Sequence, residues 1–165
     1  MNFNRLLKHL FLPPWLARRS FSKGALSKIE KAIRASEQQH EGELRFVVES
    51  TLPLHYLFVR RASRRRAEEL FAQLKVWDTE HNSGVLIYVQ LVNRHIDIVA
   101  DRGIARRVGQ PEWDAVCLAM GTAFRRGKFE EGALEGLSRV TQILARHFPA
   151  AGARPNELPD KPLVL

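Results

Sequence analysis

Two short stretches carry the kind of oxygen ligands that calcium takes. Asp78-Thr79-Glu80-His81-Asn82-Ser83-Gly84 offers two carboxylates, a hydroxyl and an amide, and Asp101-Arg102-Gly103 offers a third carboxylate beside an arginine. A calcium ion is held by about six to eight oxygens from carboxylates, carbonyls and water. Asp78, Thr79, Glu80, Asn82, Asp101 and Gly103 are therefore candidate ligands for Ca2+ or Mg2+, and Arg102 is a candidate contact for phosphate or another anion. The stretches lack the ladder of alternating carboxylates that marks an EF-hand loop. Asp78 and Asp101 are equally suited to capping turns and helices.

Other chemistries leave fewer traces. Metal-assisted phosphoryl hydrolysis needs an ion to activate water and a clamp for the phosphate oxygens, roles open to Asp78 or Asp101 and to Arg102. No Gly-x-x-x-x-Gly-Lys loop, Gly-x-Ser-x-Gly elbow or Arg-His-Gly signature occurs. Cys117 is the single cysteine, so an internal disulfide and a multi-cysteine zinc site are excluded. It falls on an apolar helical stripe and reads as core. His9, His40, His55, His81, His95 and His147 show no metal-ligand spacing. Arg60, Arg61, Arg64, Arg65 and Arg66 form a basic cluster suited to anionic lipid or an acidic partner. At a helix N-terminus each such charge opposes the dipole by about 0.3–1 kcal/mol, which calls for a partner. Aromatic residues do not interleave with these arginines, so stacking on nucleic-acid bases is not indicated.

The elements that must position these residues follow from hydrophobic period. Leu26, Ile29 and Ile33 predict a helix over about Ser22 to Gln39, capped by Ser22 or Ser27. Glu43 to Thr51 reads as a strand ended by Pro53, and Ala67, Leu70, Phe71 and Leu74 stripe a helix from Ala62 to Val76. Gly84 to Val92 is almost wholly apolar, as a strand covered on both faces is. Asn93-Arg94 suits a two-residue turn into a strand from His95 to Ala100. That turn would set Val92 opposite His95, Val89 opposite Ile98 and Gln90 opposite Asp97. A short helix over Ile104 to Val108 follows. Trp113, Val116, Cys117, Met120 and Phe124 stripe a helix opened by Pro111, and Phe129, Leu134, Leu137, Val140, Leu144 and Phe148 stripe the last. A two-faced sheet with these helices implies an α/β fold, a three-layer α/β/α sandwich with a short mixed sheet of three to four strands. The hairpin brings the Asp78–Asn82 loop beside the Asp101–Gly103 loop at one end of the sheet.

The 165 residues suit one domain, and 45% apolar content supplies a core. Twenty-six Lys and Arg against 18 Asp and Glu leave a charge of +8, which favours anionic partners. Residues 1–21 form a basic N-terminal segment in which Phe3, Leu6, Leu7, Leu10 and Phe11 share a stripe before Pro13 and Pro14. It reads either as a short anchor on an anionic membrane or as a helix docked on its own domain or on a second copy. Residues 22–148 form the domain. Residues 149–165 hold half of the eight prolines and read as a tail or an extended strap, with Leu158, Leu163, Val164 and Leu165 available for burial. No apolar run is long enough to span a bilayer and no cleavable export signal is seen, so the expected location is the cytoplasm or the inner face of the membrane.

Several pieces together resemble the TPM domain family, named for a thylakoid lumen protein, a photosystem II protein and a modulator of levamisole receptors. They are Asn82-Ser83-Gly84-Val85-Leu86-Ile87-Tyr88-Val89 and Asn93-Arg94-His95-Ile96-Asp97-Ile98-Val99-Ala100-Asp101-Arg102-Gly103-Ile104. Trp113 with Phe124, Gly127, Phe129 and Gly132 continues the likeness, as do His147-Phe148-Pro149 and Asn156-Glu157-Leu158-Pro159-Asp160. The ending is similar to a short bacterial branch. The resemblance covers about Ser22 to Asp160 and implies the same α/β/α sandwich. It also implies calcium binding in some members, acid phosphatase activity on small phosphate esters in others, and assembly roles beside membrane complexes. The reading is a binding or assembly module with an unidentified protein partner and a weak divalent-cation site; a metal-assisted phosphatase and a membrane-associated module are the alternatives.

Overall fold

The computed structural model describes residues 19–152 and 155–165. The predicted stripe from Phe3 to Phe11 lies outside these residues. Helix α1, Lys23–Glu37, starts where Ser22 Oγ accepts the Ala25 amide at 3.1 Å. Strand β1, Glu43–Glu49, leads through a 3-10 turn, Leu54–Phe58, into α2, Ala62–Gln73. Strands β2, Gly84–Gln90, and β3, His95–Ala100, form the hairpin. After a one-turn α3, Arg102–Ala105, come the long α4, Gln110–Arg125, and α5, Phe129–His147. Two residues at the C-terminus, Leu163–Val164, form β4.

The sheet order is β3-β2-β1-β4, with β2–β3 antiparallel and the other pairs parallel. Alternation decides which side chain meets which layer. Leu44, Phe46, Val48, Val85, Ile87, Val89 and Ile98 face α1, α4 and α5 in the larger core. Val47, Leu86, Tyr88 and Val99 face α2 and Leu158 in the smaller one. The result is the expected three-layer sandwich with a mixed sheet. Phe21, which the sequence groups with the N-terminal segment, is buried edge-on against Phe46 and Phe124.

The hairpin register differs from expectation by two residues. Gln90 pairs with His95, Val89 with Ile96 and Tyr88 with Asp97. The connection is Leu91–Arg94, not Asn93-Arg94 alone, because β1 captures its first half. Leu91 N donates to Glu49 O and Val92 N to Ser50 O. The Gln90 side chain donates to Ser50 O at 3.0 Å and accepts from Asn93 N at 2.8 Å. A two-residue slip keeps every side chain on its own face, so the layers are unaffected.

The proline-rich end is a strap. Leu165 N donates to Val48 O and Ser50 N to Leu165 O, extending the β1–β4 ladder. Arg45 Nη1 donates to the carbonyls of Pro159 and Lys161, both at 2.6 Å. Asp160, 6% exposed, accepts from Arg34 Nε at 2.9 Å and Asn156 Nδ2 at 2.6 Å. Glu43 Oε2 accepts the Leu158 amide at 3.2 Å. Beside these carboxylates Glu37 accepts from Leu44 N at 2.8 Å. Burial, against that hydrogen bond and with Glu43 and Asp160 nearby, pushes the Glu37 carboxyl up to about 8. Its folded value lies above the ordinary 4.5, so its contribution to stability is full below that pH and is lost as pH rises through about 8. Urea titrations at pH 5 and pH 9 should therefore show a drop in stability that Glu37→Gln removes. An equal drop in that variant would assign the slope elsewhere.

Candidate functional site

The site end of the sheet is where β1 and β2 begin and β3 stops. Three backbone bonds lock it: Glu43 N to Ser83 O at 3.0 Å, Asp101 N to Gly84 O at 2.8 Å and Gly103 N to Asn82 O at 3.1 Å. The approach is close enough that glycine is required at two points. A Cβ on Gly84 would sit 1.8 Å from Val76 O, and one on Gly103 would sit 2.5 Å from Asn82 O. Asn82 has a left-handed backbone, φ 52°, which its short polar side chain tolerates. The two loops thus meet as the hairpin argument requires.

Their side chains divide. Asn82, Asp101, Arg102 and Gly103 come together, with Arg102 Nε donating to Asn82 Oδ1 at 2.8 Å. Thr79 belongs to the same loop's interior, since its Oγ1 accepts Ser83 N at 2.9 Å. Asp78 and Glu80 are exposed, and Glu80 is fixed only through its amide, which donates to Glu157. Asp101 caps α3: its Oδ1 accepts Arg102 N at 2.7 Å. Its Oδ2 is buried and has no hydrogen-bond partner among the described residues, in a residue only 9% exposed. A buried carboxylate oxygen left unpaired is costly, and such groups are rare. Among the described residues no three His, Cys, Asp or Glu side chains gather closely enough to hold a metal ion. A cation here would have one buried carboxylate and otherwise neutral oxygens.

A second feature adjoins the same loops. A cavity of about 330 Å3 opens between the 81–83 segment, α3 and its exit, and Phe148. Ser83, 2% exposed, lines it, and Ser83 Oγ also lacks a partner among the described residues. Arg106 and Arg107 supply positive charge. The sequence points to Arg102 for an anion and not to Arg106 or Arg107. The only available signal was their position one turn after the Asp101 cap.

The arginine cluster does not form one surface. Arg66 turns inward, 2.9 Å from Glu49 and 2.8 Å from Glu69, and Tyr88 Oη donates to Glu49 Oε2 at 2.5 Å. Arg64 reaches Ile98 O at 2.5 Å and Glu68 at 2.8 Å. Both therefore find inside the molecule the partner that their place at a helix start demands. Arg60, Arg61 and Arg65 remain exposed. Cys117 is half-buried in the core, and burial pushes its thiol up to about 12, so it is no nucleophile at neutral pH. His40, which the sequence marks only as lacking metal-ligand spacing, is fully buried and structural. Its Nδ1 accepts Gly42 N at 3.1 Å while its Nε2 meets Ser36 Oγ at 2.7 Å, which in turn meets Thr141 Oγ1 at 2.6 Å. No helix among the described residues is long and apolar enough to cross a membrane.

Comparison with known proteins agrees with this architecture. The chain is similar to the BA42 protein of the psychrophilic bacterium Bizionia argentinensis, with 29% identity and a TM-score of 0.75. The match covers 87% of this chain and 94% of that one. The N-terminal domain of a P. gingivalis protein shares the fold at 19% identity and a TM-score of 0.64, covering 80% of this chain and 83% of that one. No curated protein matches the chain. The sequence model of the TPM domain matches residues 18–143, and with the α/β/α sandwich and the joined 78–84 and 101–104 segments in place, the chain belongs to the TPM domain family.

Proposed function

We infer that this TPM domain is a binding module whose sheet end takes a divalent cation, calcium or magnesium, weakly. The observation that carries the reading is the buried, unpaired Oδ2 of Asp101. Asp101 would be the one charged ligand. Thr79, Asn82 and the carbonyls of the 78–84 and 101–103 loops are the neutral oxygens at hand, with Asp78 and Glu80 exposed on the same loop. A hard cation accepts such a set, and few charged ligands place the affinity in the millimolar range. Bound there, the ion would neutralise Asp101 and bridge the two loops, so its role is to order a docking surface for a protein partner.

An amide-resolved titration with calcium and then magnesium tests this. Saturable shifts confined to residues 78–84 and 101–104 are expected, and they should vanish in Asp101→Asn, which keeps the cap. Silence in both loops at millimolar ion would overturn the reading. Phosphate-ester hydrolysis has less behind it, because Arg102 is engaged by Asn82 and Cys117 is a core thiol. Membrane association rests on Arg60, Arg61 and Arg65, with Arg64 and Arg66 committed to internal partners.

A further inference from the structure

We propose that the cavity between the 81–83 segment, α3 and Phe148 is a receptor for a carboxylate group. It adjoins the cation site, sharing the 81–83 segment and Gly103, and does not rest on the cation reading. Three observations converge. Ser83 lines the cavity, and its Oγ is buried and without a partner among the described residues, a cost that a ligand or water would repay. Arg106 lines the same space, is exposed, and forms no ion pair with any described residue. Arg107 is held ready: its Nη1 donates to His147 O at 3.1 Å, and its guanidinium lies 4.8 Å from the centre of the Phe148 ring. That stacking leaves the remaining N–H groups of a planar fork free to point along one edge, the geometry that carboxylates match.

The lining also sets the charge and shape of the ligand. Glu41 stands on the wall, its amide bonded to Phe148 O at 2.9 Å. Arg106 and Arg107 against Glu41 leave the lining with about one net positive charge, which a monocarboxylate balances and a phosphate dianion exceeds. The volume of about 330 Å3 holds far more than a bare carboxyl, and the Phe148 side of the cavity gives an apolar or aromatic body something to lie against. Two sources carry that chemistry: a small organic acid and the free C-terminus of a peptide.

The test uses the whole chain and four probes: benzoate, benzamide as its neutral counterpart, inorganic phosphate, and an N-acetylated tripeptide ending in phenylalanine as acid and as amide. Benzoate or the peptide acid should give saturable amide shifts at residues 81–83, 103–107 and 148, and benzamide and the peptide amide should not. Which of the two acids binds more tightly distinguishes the sources. Arg106→Ala, at an exposed position whose side chain bonds no described residue, should fold normally and bind about tenfold more weakly, the loss of a charge-assisted hydrogen bond. Ser83→Ala should also weaken binding, with no loss of the 101–104 shifts that calcium produces. Flat titrations with both acids, phosphate binding more tightly than benzoate, or unchanged affinity in Arg106→Ala would each overturn the proposal.

Discussion

Glu49→Ala is expected to unfold the domain or bring it close to unfolding at room temperature. Glu49 is 4% exposed and answers two groups at once, Arg66 at 2.9 Å and the Tyr88 hydroxyl at 2.5 Å. Burial opposes the charge on Arg66, but hydrogen bonds to Glu49 and Glu69 outweigh it and raise its pKa further. Burial, with Glu49 adding to it, holds the Tyr88 phenol protonated at all ordinary pH. Removing the carboxylate leaves the buried Tyr88 hydroxyl without its acceptor and the largely buried Arg66 guanidinium with Glu69 alone. Breaking one partner of such a pair costs about 3–5 kcal/mol. A small domain has only about 5–15 kcal/mol in total. Urea midpoints measure the loss. The contrast that identifies the cause is Glu49→Leu with Arg66→Met and Tyr88→Phe, which removes the three buried members and leaves the half-buried Glu69 with the Tyr56 hydroxyl. That triple variant should be far more stable than Glu49→Ala, because the penalty comes from the orphaned groups and not from the absence of a pair. If the triple variant is the less stable of the two, packing and not desolvation governs this layer.

Gly84→Ala is the second large effect, and it acts through backbone. The new methyl would lie 1.8 Å from Val76 O and 2.9 Å from Val76 C. Neither side can yield cheaply. Val76 is fully buried and its amide donates to Phe71 O at 3.0 Å. Gly84 heads β2 opposite Glu43 and accepts from Asp101. Overpacking against side chains costs about 1–3 kcal/mol, and a clash between two fixed backbones belongs at or above that range. The strand start must shift, and with it the joint between the 78–84 and 101–103 loops. Gly84→Ala should therefore lose thermal stability and the calcium response together. Gly109→Ala is the control: nothing nearer than Pro111 Cδ at 3.5 Å meets its methyl, and φ is −75°. Equal melting points for the two variants would show that the Val76 contact is not rigid.

The layers were legible because burial repeats locally. Leu26, Ile29 and Ile33 mark α1, and the unbroken run from Val85 to Val89 marks a strand covered on both sides, as Tyr88 and Ile87 facing opposite cores confirm. The meeting of the two site loops was legible as well, since an antiparallel hairpin can only bring the start of β2 beside the end of β3. The hairpin register was not. Asn93-Arg94 looks like a complete turn, yet β1 takes the Leu91 and Val92 amides, a competition invisible to residues read in order. The partners of Arg64 and Arg66 within the molecule were hidden for the same reason. Their acceptors, Ile98 O and Glu49, lie 34 and 17 positions away.

Composition and spacing by themselves determined the fold class and the pair of loops that form the sheet end. These depend on hydrophobic period and on short-range turns, both properties of neighbouring residues. The tertiary structure alone decided which charges are spent and which are left over. Arg66 is neutralised in the interior, Asp160 fastens the strap to Arg34, and Asp101 Oδ2 and Ser83 Oγ remain unpaired. Whether a polar atom has a partner depends on where distant segments pack and whether water reaches it, and no local pattern of residues encodes either.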